Sequence, residues 1–560
     1  MNNTNEALDA EKKFKTSVEE AQEYIENFDI LETINNVGND EVFTPVKVCQ
    51  QILDTLPMEV WSNPNYKWLN PCDKNGVFLR EIALRLDEGL KKWEPDEELR
   101  RKHILQKMLF SIGLTRFTSQ VSRRTVYYCS QANKKFDGKV DSEGHSINGY
   151  AIGNGAWFDT PEGNILTPKT EHSFVKGKCI FCGTNEKGKD GKPGRYSDPG
   201  QLEHYAYEFI HDSDIKTQIQ KRFFGGKNMK FDIIIGNPPY QLTDGGGGSS
   251  AKPIYNLFVE QAIRMNPKFM AMIIPSRWFS GGKGLDEFRA RMISDKHIRV
   301  LHDYLLAQEC FPAVSIEGGV CYFLWDRDNE GKCKIFTHQQ DGIIKTSERY
   351  LNENRTVDIL IRDEKSLHIL KKIQQKGFNS FADIVSPRNP FGVGKLNDEL
   401  FVKNKVPEGI SIFGRFDKGR ETKFLKKGFS VTKGNDLVNV WKVFISKADG
   451  AAGQIGNPIP ARIIGKAEVG SIGTICSETF LAVGPLKNRE EAENVVKYMA
   501  TKFFRFLVGI RKNKNMTQDT YKYAPLISFD KCWADDDLYR LFGLDTNDIE
   551  YIEKHIKELD

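Results

Sequence analysis

Nowhere does the sequence sustain the roughly 18 apolar residues in a row that a membrane-spanning helix needs. The opening stretch, Met1 to Asp40, is polar and acidic and lacks the apolar core of a signal peptide. These two absences argue against a membrane partner and lead us to expect a cytoplasmic protein. A dominant charge sign is also missing: 80 Lys and Arg against 76 Asp and Glu leave a formal net charge of +4. Bulk charge therefore demands no nucleic-acid partner, although local basic patches can still bind one. Cysteines are few, 10 in 560 residues, and mostly scattered, as reduced core residues are. The exception is the pair Cys179 and Cys182. With 39% hydrophobic and 28% charged residues the chain reads as globular, and its length calls for more than one core.

Residues 6–35 read as an amphipathic helix within an N-terminal helical segment, 1–40. An α/β domain is expected over 41–333. Trp68-Leu69-Asn70-Pro71 ends a strand, and Gly76 precedes a helix running from Val77 to Leu90. Leu109 to Leu114 is a second strand. The apolar runs Phe231 to Ile235 and Phe269 to Ile274 have the β-branched character of buried parallel strands. A helix is expected between them at about 254–265, and shorter apolar pieces at Ile298 to Leu301 and Val320 to Leu324 continue the series. Strands alternating with helices imply a doubly wound, Rossmann-like sheet. The stretch from about 130 to 200 is rich in Gly, Lys, Asp and Asn and reads as an insertion. Beyond residue 334 the alternation stops. A mixed α+β domain is expected over 334–535, with Val440 to Ile445 as its clearest strand and a long helix at 490–508. A terminal helix follows over 536–560.

Asn237-Pro238-Pro239-Tyr240 directly follows the strand that ends at Ile235. In open α/β sheets ligands bind beyond the carboxyl ends of strands, so the tetrapeptide lies at the rim of a site. The two prolines hold their carbonyls in fixed directions. The Asn237 side-chain carbonyl and the Pro238 main-chain carbonyl can accept hydrogen bonds from the amino group of a base. That favours positive charge on the nitrogen as it becomes a nucleophile, at about 3–4 kcal/mol per well-placed group. Tyr240 is placed as a stacking platform for a base outside its helix, worth about 1–3 kcal/mol.

These residues, in this order along the chain, resemble the gamma group of DNA adenine-N6 methyltransferases of restriction–modification systems. The resemblance implies S-adenosylmethionine as methyl donor, double-stranded DNA as substrate and partner, a cognate restriction endonuclease as a second partner, and a C-terminal target-recognition domain. It also assigns the cofactor site. Phe43-Thr44-Pro45 matches the segment that contacts the methionine end, although Thr-Pro before a helix is also a plain cap. Asn70-Pro71-Cys72-Asp73-Lys74-Asn75-Gly76 stands where the family has Asp-Pro-Ala-Cys-Gly-Ser-Gly, with Phe78 in the helix that follows. The leading acid, the first glycine and the serine are absent in register, and Asp73 is a candidate for the displaced acid. The family's ribose-binding acid after the second strand is missing too, and Thr115 is the candidate substitute. The glycine-rich run Gly245 to Gly248 can serve as a loop over the base or as a surface linker. Arg277 and Trp278, after the strand 269–274, are expected near the target base and its phosphate, with core packing the alternative for the aromatic.

The insertion carries Cys179-Ile180-Phe181-Cys182-Gly183, with His172 upstream and Cys129 just before the insertion. Cys129, His172, Cys179 and Cys182 make a structural zinc set, with His145 as an alternative fourth ligand. A glycine after the second cysteine permits the knuckle turn. A segment this poor in apolar residues would gain order from a metal staple.

The C-terminal half interleaves basic and aromatic residues. Arg415 and Arg420 stand among lysines and phenylalanines between 385 and 435, and Arg511 and Lys512 beside Asn513, Asn515 and Gln518. Such texture suits phosphates and base edges, or a solvated face. The expected function is therefore site-specific transfer of a methyl group to adenine N6. Three rivals remain: a DNA-binding module whose cofactor site has degraded, the modification part of a fused restriction enzyme, and methylation of glutamine in protein. The 40 or so residues before Phe43 are too few for a nuclease domain, and the basic C-terminal half favours DNA over a protein substrate.

Overall fold

A computed structural model describes residues 42–128, most of 162–187 and 205–241, and nearly all of 252–559. The expected helix over 6–35 and the glycine run 245–248 lie outside the described residues. The chain divides into two compact units, Met1–Glu353 and Asn354–Asp560. Among the described residues no helix is long and apolar enough to cross a membrane.

The first unit is built on a nine-stranded sheet. In chain order its strands are β1 (Trp68–Asp73), β2 (Leu109–Gly113), β3 (Ile165–Leu166), then, after the small hairpin β4 (Phe174–Val175) and β5 (Lys178–Cys179), β6 (Ile233–Gly236), β7 (Phe269–Pro275), β8 (Ile298–Tyr304), β9 (Val320–Asp326), β10 (Cys333–His338) and β11 (Ile344–Arg349). Their order across the sheet is β11-β10-β8-β9-β7-β6-β1-β2-β3. The pairs β1·β2, β1·β6, β2·β3 and β6·β7 are parallel, whereas β9 runs antiparallel between β7 and β8. The expected parallel alternation thus ends at β7, and an inserted antiparallel strand replaces it. The strands β10 and β11 also extend this sheet, so the first domain runs past the expected boundary at 333 to about Glu353. Their alternating exposed residues, such as Lys334 and Glu348, hid them from a reading based on buried apolar runs.

The central strands are buried on both faces. Trp68, Ile233, Ile235, Phe269, Ala271 and Ile273 pack into one core with helices α1 (Val46–Leu53) and α2 (Val77–Gly89). The intervening Leu69, Ile234, Met270, Met272 and Ile274 are equally enclosed, at 0% exposure each. Period-two alternation cannot show in such strands, which is why they appear as unbroken apolar runs. Helices α3 (Glu97–His103), α4 (Arg116–Arg123), α5 (Ile215–Phe224), α6 (Tyr255–Arg264) and α7 (Asp286–Ser294) lie among the described connections of this unit, with short helical turns such as Tyr205–Ile210.

The second unit is mixed α+β, with a four-stranded and a three-stranded sheet. Trp441–Ser446 is a strand as expected. The expected helix over 490–508 is instead two helices, Arg489–Ala500 and Lys502–Arg511. Thr501 lies between them in extended backbone, and its side chain caps the second through Phe504 N. The terminal helices Asp535–Phe542 and Thr546–His555 are part of this unit's core, through Leu538, Tyr539, Phe542 and Ile552.

Gly236 ends β6 beside β1. A Cβ there would lie 2.8 Å from the Asn70 Oδ1 and 3.1 Å from the Cys72 Sγ. Gly236→Ala is expected to lower unfolding stability by about 1–3 kcal/mol through overpacking, read as a lower urea midpoint at constant m.

Candidate active site

From β1 the chain moves outward to β2 and β3, then returns to β6 on the other side of β1. The crevice between the carboxyl ends of β1 and β6 is therefore the topological switch point, where open α/β sheets hold ligands. Asn70 to Asp73 end β1, and Asn237 to Tyr240 follow β6, so two motifs 160-odd residues apart in sequence become neighbours.

Asn237 is 2% exposed. Its Nδ2 donates to the Val42 carbonyl at 3.0 Å and to the Thr44 Oγ1 at 3.1 Å. A carbonyl only accepts, so the amide can face only one way round. Among the described residues the Oδ1 is left enclosed and without a hydrogen-bond partner. Pro238 and Pro239 are buried, and Tyr240 is half-buried with its ring edge-on to Phe311 at 6.4 Å between centroids. Its hydroxyl is enclosed and unpartnered among the described residues, and burial pushes its pKa well above the ordinary value, so it stays protonated.

Phe43 and Thr44 are buried, and Pro45 is the N-cap of α1. Lys74, 5% exposed, donates from Nζ to the same Val42 carbonyl at 2.7 Å. Asn75 accepts from Val77 N at 3.3 Å, tying the first turn of α2, while its own Nδ2 is buried with no partner among the described residues. Gly76 caps that helix in a left-handed conformation. Neither Val42, Lys74 nor Asn75 stood out as a site residue in the sequence; the signal available was a lysine and an asparagine where the family has glycine and serine.

Other expected site residues are engaged by the chain itself. Asn70 donates to Asp73 at 3.2 Å and accepts from Cys72 N at 3.2 Å. The Asp73 carboxylate also accepts from Ser122 Oγ, from Ser111 Oγ at 3.4 Å and from Lys74 N at 3.0 Å. Burial raises its pKa, and these hydrogen bonds oppose the rise. The Cys72 thiol is pushed up to about 12 by burial, so it remains protonated and non-nucleophilic. Thr115 is the N-cap of α4 and shares a capping box with Thr118, which occupies its hydroxyl. Phe78 lies in the core, 3% exposed.

The insertion brings His172, Cys179 and Cys182 together as expected. Cys129 and His145 lie outside the described residues. The group is completed by His211, which follows the inserted segment and which the sequence reading did not select. Burial and the neighbouring His211 lower the His172 pKa to about 4, and burial raises the Cys182 thiol to about 12.

Three of the six residues expected at DNA are core residues. Trp278 is 0% exposed, packed edge-on against Phe279 and Phe288, so it cannot reach a duplex from this position. Arg511 pairs with Asp358 and lies over the Tyr523 ring at 5.5 Å. Lys512 is fully buried, donating to the carbonyls of Asp449 at 2.6 Å, Ala451 at 2.5 Å and Ile463. Burial lowers its pKa to about 8. Arg277 is half-buried, and Arg415 and Arg420 are exposed cross-strand neighbours on one hairpin. Lys512→Met is expected to leave those carbonyls without a donor and to lower stability by about 1–3 kcal/mol, with DNA affinity at fixed salt unchanged.

Comparison with known proteins supplies the family. Residues 107–311 match the family described as the Eco57I restriction-modification methylase. An uncharacterized adenine-specific methylase of Mycoplasma pneumoniae (strain ATCC 29342 / M129 / Subtype 1) is 50% identical over 323 residues, covering 56% of this chain and 73% of that protein. Among solved structures, a nuclease-deletion mutant of the Type ISP restriction-modification enzyme LlaGI, in complex with a DNA substrate mimic, superposes with a TM-score of 0.45 at 13% identity. That match covers 86% of this chain and 46% of the LlaGI chain, so the present chain spans less than half of that protein. The Type IIL enzyme MmeI, in complex with DNA, gives a TM-score of 0.42 at 12% identity over 89% of this chain and 68% of its own. On the strength of the half-identical relative, of which it covers 73%, the chain belongs to the adenine-specific methylases.

Proposed function

We propose that this methylase transfers a methyl group from S-adenosylmethionine to N6 of an adenine in double-stranded DNA, at a specific sequence, as the modification part of a restriction–modification system. The observation that carries the reading is the Asn237 Oδ1, an enclosed acceptor whose own amide nitrogen is fixed by Val42 and Thr44.

The donor supplies a methyl group on a sulfonium leaving group. The residues present fit its methionine end: the unpartnered Asn75 Nδ2 and the first turn of α2 offer donors to a carboxylate, beside Lys74 and the Phe43–Pro45 segment. The chain places no carboxylate directly after β2, and the Thr115 hydroxyl is held in its capping box.

Asn237 acts on the acceptor nitrogen. Its Oδ1 accepts from an amino N–H, and that bond strengthens as the nitrogen loses electron density to the incoming methyl group. The acceptor is already oriented and enclosed, so no reorganisation is needed during the reaction. Tyr240 offers its ring to an adenine outside the stack, at about 1–3 kcal/mol. The transfer would be a single displacement, the bond from N6 to the methyl carbon forming as the carbon–sulfur bond breaks and the methylated nitrogen then releasing a proton to water, so no enzyme nucleophile is required. In the second unit, Arg415 and Arg420 stand directly opposite each other on Ser411–Phe416 and Gly419–Leu425. Like charges in such a pair repel, although Asp449 partly offsets Arg420. With Arg420 also donating to the Lys466 carbonyl at 2.9 Å, the exposed Arg415 is the cation of the pair offered to a phosphate.

Asn237→Ala is expected to abolish methylation, read by sequencing modified adenines in DNA from expressing cells, with duplex binding retained. Turnover within a few fold of the parent would refute the role given to Asn237. Arg415→Gln is expected to weaken binding to all duplexes alike and to reduce the slope of log K against log salt by about 1. An unchanged slope would remove Arg415 from the interface.

A further inference from the structure

We propose that His172, Cys179, Cys182 and His211 bind one structural zinc ion, which fastens the insertion to the segment seated at the carboxyl end of β2.

The four ligand atoms all lie within 4.8 Å of one another. Tetrahedral zinc with two sulfurs and two imidazole nitrogens has ligand–ligand edges of roughly 3.3–3.8 Å. The Cys182 Sγ and His172 Nδ1 are already 3.6 Å apart. Small side-chain rotations bring the remaining edges into range.

The local backbone is shaped for the task. Phe174–Val175 and Lys178–Cys179 form the antiparallel hairpin β4–β5 that delivers the first cysteine. Cys179 N donates to the Thr184 carbonyl, and Gly183 N donates back to the Cys179 carbonyl, both at 2.9 Å. Gly183 takes a left-handed conformation, φ 79°, which lets the turn fold both thiols inward. Cys179, Cys182 and His211 are 3%, 0% and 6% exposed. The His172 and His211 rings meet edge-on at 4.4 Å between centroids. Two thiolates and two imidazoles in tetrahedral arrangement select zinc among the common metals.

The fourth ligand gives the site its purpose. His211 directly follows the short helix Tyr205–Ile210. That helix is fixed at both sides: Tyr205 N donates to the Leu114 carbonyl at 2.8 Å, just after β2, and the Phe209 ring stacks on Phe258 of α6 at 5.9 Å. A metal joining His172 and the knuckle to His211 therefore anchors the hairpin to the segment held at the carboxyl end of β2. The insertion itself has few apolar residues with which to hold that position.

The test is elemental analysis of the full-length protein, purified without chelator, together with cobalt(II) substitution. One zinc per chain is expected in the parent, and a cobalt spectrum with thiolate charge-transfer bands and tetrahedral d–d bands. His211→Ala is expected to lose the metal. His211→Cys should restore it and strengthen the charge-transfer bands, since Cys₃His is also a zinc set. A parent protein without stoichiometric zinc, or a Cys179–Cys182 disulfide found by mass spectrometry in freshly purified protein, overturns the proposal. Full zinc retention in His211→Ala also overturns it, because the fourth ligand then lies elsewhere. If the alanine variant does not fold, the parent's zinc content and cobalt spectrum decide alone.

Discussion

The carbonyl oxygen of Val42 is the point on which the candidate active site hangs. It accepts from the Asn237 amide and from the buried Lys74 ammonium. One acceptor thereby joins the N-terminal edge of the described chain, the loop after β1 and the target motif after β6. Because that oxygen can only accept, it forces the Asn237 amide nitrogen toward itself and turns Oδ1 the other way. An enclosed acceptor without a partner is costly to a fold, at about 1–3 kcal/mol. In the function proposed above, a substrate amino group would satisfy it.

Buried cations recur as a structural device. Lys74 holds the Val42 carbonyl, Lys442 holds those of Val438 and Thr474 at 2.8 Å each, and Lys512 holds three. Burial lowers the pKa of Lys442 and of Lys512 to about 8. A flexible ammonium with three donors suits irregular backbone whose carbonyls point inward. The same use explains why a basic stretch is an unreliable guide to DNA contact: Arg511 and Lys512 are cationic residue types like Arg415, yet they stabilise the second unit from within.

Much of the first unit was legible because its evidence is local. A short β-branched apolar run reads as a buried parallel strand wherever it occurs, and Phe231 to Ile235 and Phe269 to Ile274 both did. The edge strands β10 and β11 escaped notice, since half-exposed strands near the end of a domain resemble the start of another. The break at Thr501 was also hidden. Its residues are good helix formers on either side, and the break is held by a side-chain cap that composition does not display.

The sequence by itself determined the chemistry offered at the rim of the sheet. Asn237 to Tyr240 is contiguous, follows a strand, and carries its acceptors and its ring in four consecutive residues. Tertiary structure alone decided which way the Asn237 amide faces, since its partner Val42 is 195 residues away. It alone enclosed Asp73, Thr115 and Trp278 among their neighbours, and it alone brought His211 to the Cys-x-x-Cys knuckle. The reason is common to all of these. Residue type sets what a side chain can donate, accept or ligate, while burial and partners depend on segments that only folding brings together.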